Sequence, residues 1–338
     1  MRVATLLPSA TEIVYALGVE PVAVSHECDC PPGADEKPAI TKTAVDSDGS
    51  SASINEAVDR VLRTEGGVYD IDLEVLETTR PDLAITQGLC DVCAVDEVTV
   101  ERAIEHLDRD VEVLTTDPHR FEDLYADIHR IAAAVDRTSA GDRLIHRLRN
   151  RVESLTRNDV DARRRVVVVE WMDPPMVAGH WIPELVRIAG GEYGLADPGD
   201  RSRPRAWSEI LSYDPEILIV SPCGFSVEQT RRHLDELRGR PGWGELTASR
   251  AGRVFLVDGN HLVNRPGPRL LETLAAFVDI LDGEPGTHSP DEFVSHVRDR
   301  GEADRWQVRN SHDRHEIDVA GIGIDDRDRS ILDRDGGV

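Results

Sequence analysis

Residues 165–191 read RVVVVEWMDPPMVAGHWIPELVRIAGG, and this stretch decides the fold that we predict. Its four consecutive valines, Val166–Val169, predict a buried strand. A loop with acidic, aromatic and proline residues follows, and then an apolar face at helical spacing that ends at Gly190 and Gly191. This pattern indicates a βα unit whose loop lies at the carboxyl edge of a sheet. Ligands bind at that edge in open α/β sheets.

The same alternation of strand and helix recurs on both sides of this stretch. It predicts an α/β protein with two Rossmann-like lobes, each built on a central, mostly parallel sheet. A long helical segment, Ser139–Leu155, suits a rigid connection between the lobes. The predicted strands cover residues 2–7, 22–25, 82–86, 111–115, 166–169, 217–220 and 254–257. The predicted divisions are an N-terminal lobe (1–117), a helical linker (118–163), a C-terminal lobe (164–282) and a tail (283–338).

The predicted tail is polar and charged, with few large apolar residues. Such a composition cannot bury enough apolar surface to offset the entropy of ordering the chain. We therefore expect a mostly disordered segment with at most a marginal helix near Phe293. The stretch at 193–205, with its Gly and Pro residues, is predicted as a loop.

The charge balance excludes several classes of partner. The 338 residues include 64 acidic and 39 basic side chains, a formal net charge of −25, and the only lysines are Lys37 and Lys42. Nucleic acids and anionic membranes need basic patches, so neither is expected as a partner. Acidic excess with few lysines indicates adaptation to a high-salt cytoplasm, where like charges are screened.

The first residues predict structure rather than a targeting signal. The apolar run Val3–Leu7 is too short for a signal-peptide core and ends at Pro8. No stretch reaches the roughly 18–20 apolar residues of a membrane span, so direct membrane insertion is not expected. With no signal peptide or lipid anchor visible, the sequence predicts a cytoplasmic location. Ser9 and Glu12 form a capping-box pattern that predicts a helix with free N–H groups at Ala10 and Thr11, a seat for a polar ligand group.

The five cysteines do not form a secreted disulfide framework, because their number is odd and two short spacings contain four of them. Cys28 and Cys30 follow one predicted strand, and Cys90 and Cys93 follow another. These four could provide a tetrahedral site for zinc or an iron–sulfur cluster, with His26 and Glu27 able to complete a mixed site. Buried apolar packing is the alternative role for each cysteine.

Four segments resemble the class III substrate-binding proteins of ABC importers, the helical-backbone family that binds vitamin B12, iron siderophores and haem. The segments are PSATEIVYALG (8–18), PDLAITQ (81–87), WSEILSYDPEILIV (207–220) and NRPGPRLLETLAAF (264–277). The cobalamin-binding branch is the most similar, and the resemblance covers residues 1–282. It implies two lobes with a ligand between them, an ABC transporter permease as partner, and no covalent chemistry. The family is normally extracytoplasmic, in contrast to the location that the sequence predicts.

On the two-lobe reading, the unusual loops at the strand ends converge on one cleft. Trp171 and Trp181 would form aromatic walls for a large flat ligand, and a histidine could ligate its cobalt or iron. The predicted ligand-binding residues are Ser9, Ala10, Thr11, His26, Glu27, Glu170, Trp171, His180, Trp181, Trp207, Asn260 and His261.

These features favour a binding protein for cobalamin or a related corrinoid, either in an importer or as a soluble carrier. No additional cofactor is required. An iron-siderophore or haem-binding protein is the first alternative, and a cytosolic metalloprotein with a Cys/His zinc or iron site is the second. The sequence has no GxSxG, P-loop, HExxH or GxGxxG motif, so an enzyme is not expected.

Overall fold

The computed structural model describes residues 1–43, 45, 49–64, 67–89, 95, 97–107, 109–158, 163–283, 286–289 and 293–297. Its first part, residues 3–116, is called the N-lobe. In chain order the N-lobe contains β1 (Val3–Thr5), α1 (Pro8–Ala16), β2 (Ala23–Val24), β3 (Thr41–Thr43), α2 (Ser51–Thr64), β4 (Tyr69–Ile71), α3 (Leu73–Thr79), β5 (Leu83–Gln87), α4 (Glu97–Ile104) and β6 (Glu112–Thr116).

Two helices, α5 (Phe121–Ala134) and α6 (Thr138–Leu155), connect the N-lobe to the C-lobe, residues 166–297. The predicted connecting helix agrees with α6 to within one residue. The C-lobe contains β7 (Val166–Met172), β8 (Pro175–Val177), α7 (Ile182–Ile188), β9 (Arg203–Pro204), α8 (Trp207–Tyr213), β10 (Ile217–Val220), α9 (Val227–His233), α10 (Asp235–Arg238), α11 (Thr247–Arg250), β11 (Val254–Val257), α12 (Leu270–Asp282) and β12 (Val294–Val297).

The α/β prediction is confirmed, since each lobe has its own sheet. The N-lobe sheet has the order β2-β1-β5-β6, with every pairing parallel. The C-lobe sheet has the order β12-β11-β10-β7-β8-β9, with a parallel centre and antiparallel β8, β9 and β12. Val166–Val169 are fully buried in the central strand β7, as expected of a run of β-branched residues at the middle of a covered sheet.

The connecting helices fix the lobes to each other. Helix α6 packs along α5 and also along α12, the last helix of the C-lobe, while α5 packs on α1 of the N-lobe. Gly141 allows the close approach of α6 to α5, because a Cβ at this position would lie 2.7 Å from the Cβ of Ala132. The predicted domain limits stay predictions, although the two sheets lie on either side of this helical pair.

Three local predictions are wrong. Helix α1 begins at Pro8, so Ser9 lies inside the helix and Glu12 does not close a capping box. The loop predicted at 193–205 ends in β9, which pairs with β8. The segment after Phe293 is a strand rather than a helix, because Val294 and Val297 pair antiparallel with β11 and bury their side chains. A short antiparallel pair, β3 with β4, lies outside the predicted strands.

Candidate functional site

Three sets of contacts, called bridges, join the N-lobe and the start of α5 to the C-lobe. The first bridge lies beside the connecting helices. The backbone N–H of Phe121, at the start of α5, donates to Glu184 of α7 at 3.1 Å. The imidazole rings of His119 and His180 lie 5.4 Å apart at the same place. Burial lowers the pKa of His180 to about 4, so this ring is neutral at pH 7.

The second bridge joins the start of α2 to the end of β7. The indole N–H of Trp171 donates to the carbonyl oxygen of Ser51 at 3.2 Å. The backbone N–H of Ser51 donates to the carboxylate of Glu236 at 3.2 Å, and its hydroxyl donates to the same carboxylate. Trp171 also packs edge to face against Phe225, with ring centroids 5.4 Å apart. Trp171 is therefore a half-buried aromatic ring held between the lobes.

The third bridge is an ion cluster between the end of β2 and the end of β11. Asp29 of the N-lobe accepts hydrogen bonds from Arg265 and, at 2.7 Å, from His261 of the C-lobe. Asp258 contacts the other ring nitrogen of His261 at 3.0 Å. The hydrogen bonds to Asp258 and Asp29 raise the pKa of His261 to about 9. Burial would raise the pKa of Asp29, but His261 and Arg265 outweigh it and hold this pKa well below its usual range.

A second carboxylate lies behind this cluster with no solvent exposure. Glu12 of α1 is 0 % exposed, and its Oε1 is 3.8 Å from Arg265 and 3.9 Å from Arg269. Neither carboxylate oxygen has a hydrogen-bond partner among the described residues, and burial raises the pKa of Glu12 to about 8. Gly267 permits the close packing of its own backbone against Glu12, since a Cβ at position 267 would lie 2.9 Å from Oε2 of Glu12. The cluster is therefore a packed joint between the lobes.

The candidate cleft is the region between the ion cluster and the His119 bridge. In the N-lobe sheet β5 lies between β1 and β6, so its end at Gln87 belongs to this region. In the C-lobe sheet β7 lies between β10 and β8, so Glu170 and Trp171 lie at the carboxyl end of a central strand. Residues 90–94, which follow β5, lie outside the described part of the chain.

The predicted residues are brought together only in part. Trp171 lies at the cleft, and Glu27 and His261 take part in the third bridge, because Arg265 also donates to the carbonyl oxygen of Glu27 at 3.1 Å. His26 is exposed, and its Nδ1 lies 2.8 Å from the hydroxyl of Thr41. The backbone N–H of Asn260 donates to Phe225 at 3.2 Å, within the C-lobe.

Several predicted residues are covered by other parts of the protein. Ser9, Ala10 and Thr11 are buried, and the N–H of Thr11 is bonded to Leu7, so these residues do not form an open seat for a ligand. Trp181 is 4 % exposed and donates its indole N–H to Val263 at 3.0 Å, so it packs within the C-lobe.

Trp207 lies in an aromatic cluster on the C-lobe rather than at the centre of the cleft. Its ring stacks on Trp243 with centroids 6.3 Å apart and planes 10° apart. The guanidinium of Arg240 lies over the Trp207 ring at 5.9 Å, and the indole N–H donates to Pro241 at 2.7 Å. The ring is therefore fixed in place by its own lobe.

The cysteines are only partly placed. Cys28 is buried with its sulfur 3.0 Å from the hydroxyl of Thr11, and burial raises the pKa of Cys28 to about 12. Cys30 and Cys223 are half-buried thiols that form no disulfide with each other or with Cys28. Cys90 and Cys93 lie outside the described residues, so the four-cysteine site stays a prediction. Within the described ranges, no group of three or more His, Cys, Asp or Glu side chains could hold a metal ion.

Sequence reasoning missed Asp29, Arg265 and Arg269. Arg265 and Arg269 lie in NRPGPRLLETLAAF, which was quoted only for its resemblance. Their signal was the presence of two arginines around a Pro-Gly turn directly before an apolar helix. Burying two such charges requires a carboxylate partner, and Glu12 inside an apolar helix was the matching observation.

The family model described as "Periplasmic binding protein" matches residues 3–260. The chain belongs to this family of periplasmic binding proteins. Its members bind solutes and are not enzymes, which agrees with the prediction from the sequence. None of the helices that the structure describes is long and apolar enough to cross a membrane.

Curated members of the family are distant from this chain in sequence. An uncharacterized ABC transporter substrate-binding lipoprotein of Bacillus subtilis, YvrC, is 23 % identical over 80 % of this chain and 76 % of its own length. A vitamin B12-binding protein of Vibrio cholerae is 23 % identical over 81 % of this chain and 86 % of its own length.

Solved structures support the fold assignment. The periplasmic haem-binding protein BhuT, solved with two haems, has a TM-score of 0.62 at 22 % identity and covers 84 % of this chain and 98 % of its own. The vitamin B12-binding protein BtuF of Vibrio cholerae has a TM-score of 0.54 at 19 % identity, with 84 % and 97 % covered. These likenesses show the two-lobed fold of the class III binding proteins.

Proposed function

We propose that this periplasmic binding protein binds cobalamin or a related corrinoid between its lobes and delivers it to the permease of an ABC importer. The observation that carries the proposal is the half-buried Trp171, held between the lobes at the carboxyl end of the central strand β7. A large flat ligand needs an aromatic surface of this kind with a few fixed polar groups around it. The named vitamin B12-binding relatives support the corrinoid, and YvrC supports the importer.

Haem is the second candidate. It is favoured by the likeness of the fold to haem-binding proteins, such as BhuT, whose TM-score exceeds that of BtuF. An iron siderophore belongs to the same alternative. The cytosolic metalloprotein is less well supported, because the described residues do not complete a metal site.

Titration tests the proposal. Cyanocobalamin and haem are added separately to the protein in high salt, and binding is followed by calorimetry and by quenching of tryptophan fluorescence. We expect saturable binding of cyanocobalamin, whereas binding of haem alone would favour the second candidate. Affinity weaker than roughly millimolar for both would contradict the proposal.

A substitution tests the role of Trp171. Trp171→Leu removes the aromatic surface and should weaken binding of the ligand at least roughly tenfold, since loss of a stacked aromatic ring costs about 0.5–1.5 kcal/mol beyond its buried area. Trp243→Leu is the matched control, because Trp243 stacks on Trp207 outside the proposed cleft. Equal losses in both variants would remove Trp171 from the site.

A further inference from the structure

Residues 286–289 and 293–297 follow α12 and return along the edge of the C-lobe sheet, and they are called the strap. In the strap, β12 pairs antiparallel with β11. The backbone N–H of Asp258 extends this ladder by donating to the carbonyl oxygen of Phe293 at 2.9 Å. The segments that resemble the binding-protein family end at residue 277, so the strap lies outside that resemblance.

A buried carboxylate anchors the start of the strap. Asp279 of α12 is 1 % exposed, and it accepts hydrogen bonds from the backbone N–H groups of His288 and Ser289 at 3.1 Å and 3.0 Å. The Ser289 hydroxyl donates to the same carboxylate at 2.7 Å, and the His288 ring contacts it at 2.6 Å. A buried carboxylate is costly unless hydrogen bonds satisfy it, so this anchor favours one attachment. The strap is therefore fixed both at its start and along β12.

Phe293 of the strap lies against the C-lobe half of the ion cluster that forms the third bridge. Its ring centroid is 5.7 Å from that of His261, and the guanidinium of Arg269 lies 5.4 Å from the centre of the same ring. His261 contacts Asp29 of the N-lobe at 2.7 Å. Arg269 lies 3.9 Å from Glu12, which also belongs to the N-lobe. One aromatic ring of the strap therefore touches two C-lobe side chains that contact N-lobe carboxylates.

The ring of Phe293 affects the interlobe ion pairs in two ways. It shields them from water, and a lower local dielectric strengthens the attraction between opposite charges. Its face also attracts the guanidinium of Arg269, which restricts this side chain to the position from which it faces Glu12. His261 is confined in the same way between the ring and the carboxylate of Asp29. Removing the ring would hydrate and mobilise both side chains, so the contacts between the lobes would break more often.

We propose that the strap is a clasp on the joint between the lobes, in which Phe293 positions His261 and Arg269 for their contacts with the N-lobe and thereby disfavours separation of the lobes. Phe293 is a positioning residue, because it acts through these two side chains. An edge strand can detach while the parallel centre of its sheet stays intact, so release of β12 shifts the protein toward separated lobes. On the proposed function this motion admits and releases the ligand, but the clasp itself does not depend on which ligand is bound.

Hydrogen exchange at Ser51 tests the clasp. The backbone N–H of Ser51 donates to Glu236 across the second bridge, so it is released to solvent when the lobes separate. Exchange is followed by mass spectrometry with residue-level fragmentation on the full-length, ligand-free protein. Phe293→Ala should increase the exchange rate at Ser51 roughly threefold or more, since the cation–π contact and the packing of the ring are both lost. Unchanged exchange at Ser51, with faster exchange only in β11 and β12, would reduce the strap to a local structural element and overturn the proposal.

Two variants of the strap serve as controls. Phe293→Tyr keeps the aromatic face and should exchange like wild type at Ser51. Ser295→Ala removes a hydrogen bond that Arg231 of α9 donates to the strap but keeps Phe293, so its exchange at Ser51 should stay within about twofold of wild type. An increase in either control as large as that of Phe293→Ala would show that any weakening of β12 opens the lobes, which overturns the role of Phe293.

A double-mutant cycle identifies the route from the strap to the N-lobe. Asp29→Asn removes the N-lobe carboxylate that His261 and Arg265 contact. In this background Phe293→Ala should raise the exchange rate at Ser51 by less than about twofold, because the contact through which the ring acts is already weakened. A full, additive increase would show that Phe293 acts by another route, and it would overturn the proposal. Phe293→Leu, which keeps an apolar side chain without a ring, replaces Phe293→Ala in both tests if the alanine variant does not fold.

Discussion

At the scale of single residues, the most informative group is the carboxyl of Glu12. An apolar helix face has no local need for a glutamate, and the capping role predicted from the sequence is not the one that the structure gives it. The side chain is fully buried and faces Arg265 and Arg269, which are themselves almost fully buried. Such a pair could not be predicted from local spacing, because its members are far apart in the chain and only the fold brings them together.

The titration of this cluster predicts how stability depends on pH. The pKa of Glu12 is raised by burial to about 8, and that of His261 is raised to about 9 by its hydrogen bonds to Asp258 and Asp29. A group whose pKa is higher in the folded state stabilises the protein at low pH and loses this contribution as pH rises. The contribution of Glu12 to the free energy of unfolding should therefore be lost between pH ~4.5 and pH ~8, and that of His261 between pH ~6.5 and pH ~9. Chemical unfolding at a series of pH values measures it.

Two variants identify the groups responsible. Glu12→Gln and His261→Gln each remove one titrating group, so Glu12→Gln should flatten the decrease in unfolding free energy between pH ~4.5 and pH ~8, and His261→Gln the decrease between pH ~6.5 and pH ~9. Asp29 has the opposite sign, because its pKa is lowered in the folded state: its contribution is lost only as pH falls below about 4. An unchanged slope of unfolding free energy against pH in both variants would show that the decrease arises elsewhere.

At the scale of elements, the parallel strands were predictable and the antiparallel ones were not. β10 and β11 have the predicted limits, because their short apolar runs are bounded by polar loops. β8 and β9 have two or three residues each and contain proline, so their sequences lack the alternation that identifies a strand. β12 lies in a polar segment, and it is a strand because β11 offers it an edge on which to pair. These three segments are strands because of their pairing with neighbouring strands rather than because of their own sequences.

The turn after β11 gives a prediction at this scale. Gly259 begins the π-helical turn Gly259–Val263, and a Cβ there would lie 2.0 Å from the carbonyl oxygen of Pro222. Gly259→Ala must displace the backbone next to His261, so we expect a loss of about 1–3 kcal/mol in unfolding free energy. Denaturant unfolding measures the loss.

Gly244→Ala is the control for this prediction. A Cβ at Gly244 meets nothing within 4 Å, so this variant should unfold within about 0.5 kcal/mol of wild type. If both alanine variants have the stability of wild type, the close approach at Gly259 does not constrain the turn.

At the scale of the whole molecule, the three bridges and the α5–α6 pair connect the two lobes. The division into two lobes could be predicted from the repeated βα pattern and from the resemblance to the binding-protein family. The bridges could not be predicted, because they depend on how the two lobes face each other. Of the residues predicted for the site, Trp171 contacts Ser51 across the lobes, so its role in binding stays a prediction, whereas Trp181 lies in the core of the C-lobe.

Net charge gives the prediction that belongs to this scale. A formal charge of −25 repels itself in the compact state, and this repulsion is strongest when salt is low. Raising KCl from ~0.1 M to ~2 M shortens the screening length below about 3 Å, so the melting temperature should increase. Calorimetric scans measure it, with betaine at equal osmolality as the uncharged control. A melting temperature that does not change with KCl, or that betaine raises equally, would contradict screening as the cause.

The joint between Glu12 and the segment around Gly267 has a consequence for how the chain is made. Arg265 and its partner Asp29 are separated by 236 positions, so the N-lobe leaves the ribosome long before its buried glutamate can be covered. During that interval Glu12 is an ordinary hydrated carboxylate on the surface of an incomplete lobe. Arrival of Arg265 and Arg269 then removes the water, and the N-lobe reaches its final packing only when synthesis has passed the C-lobe. Translation that stops before residue 265 therefore leaves an N-lobe in which Glu12 has neither of its arginine partners.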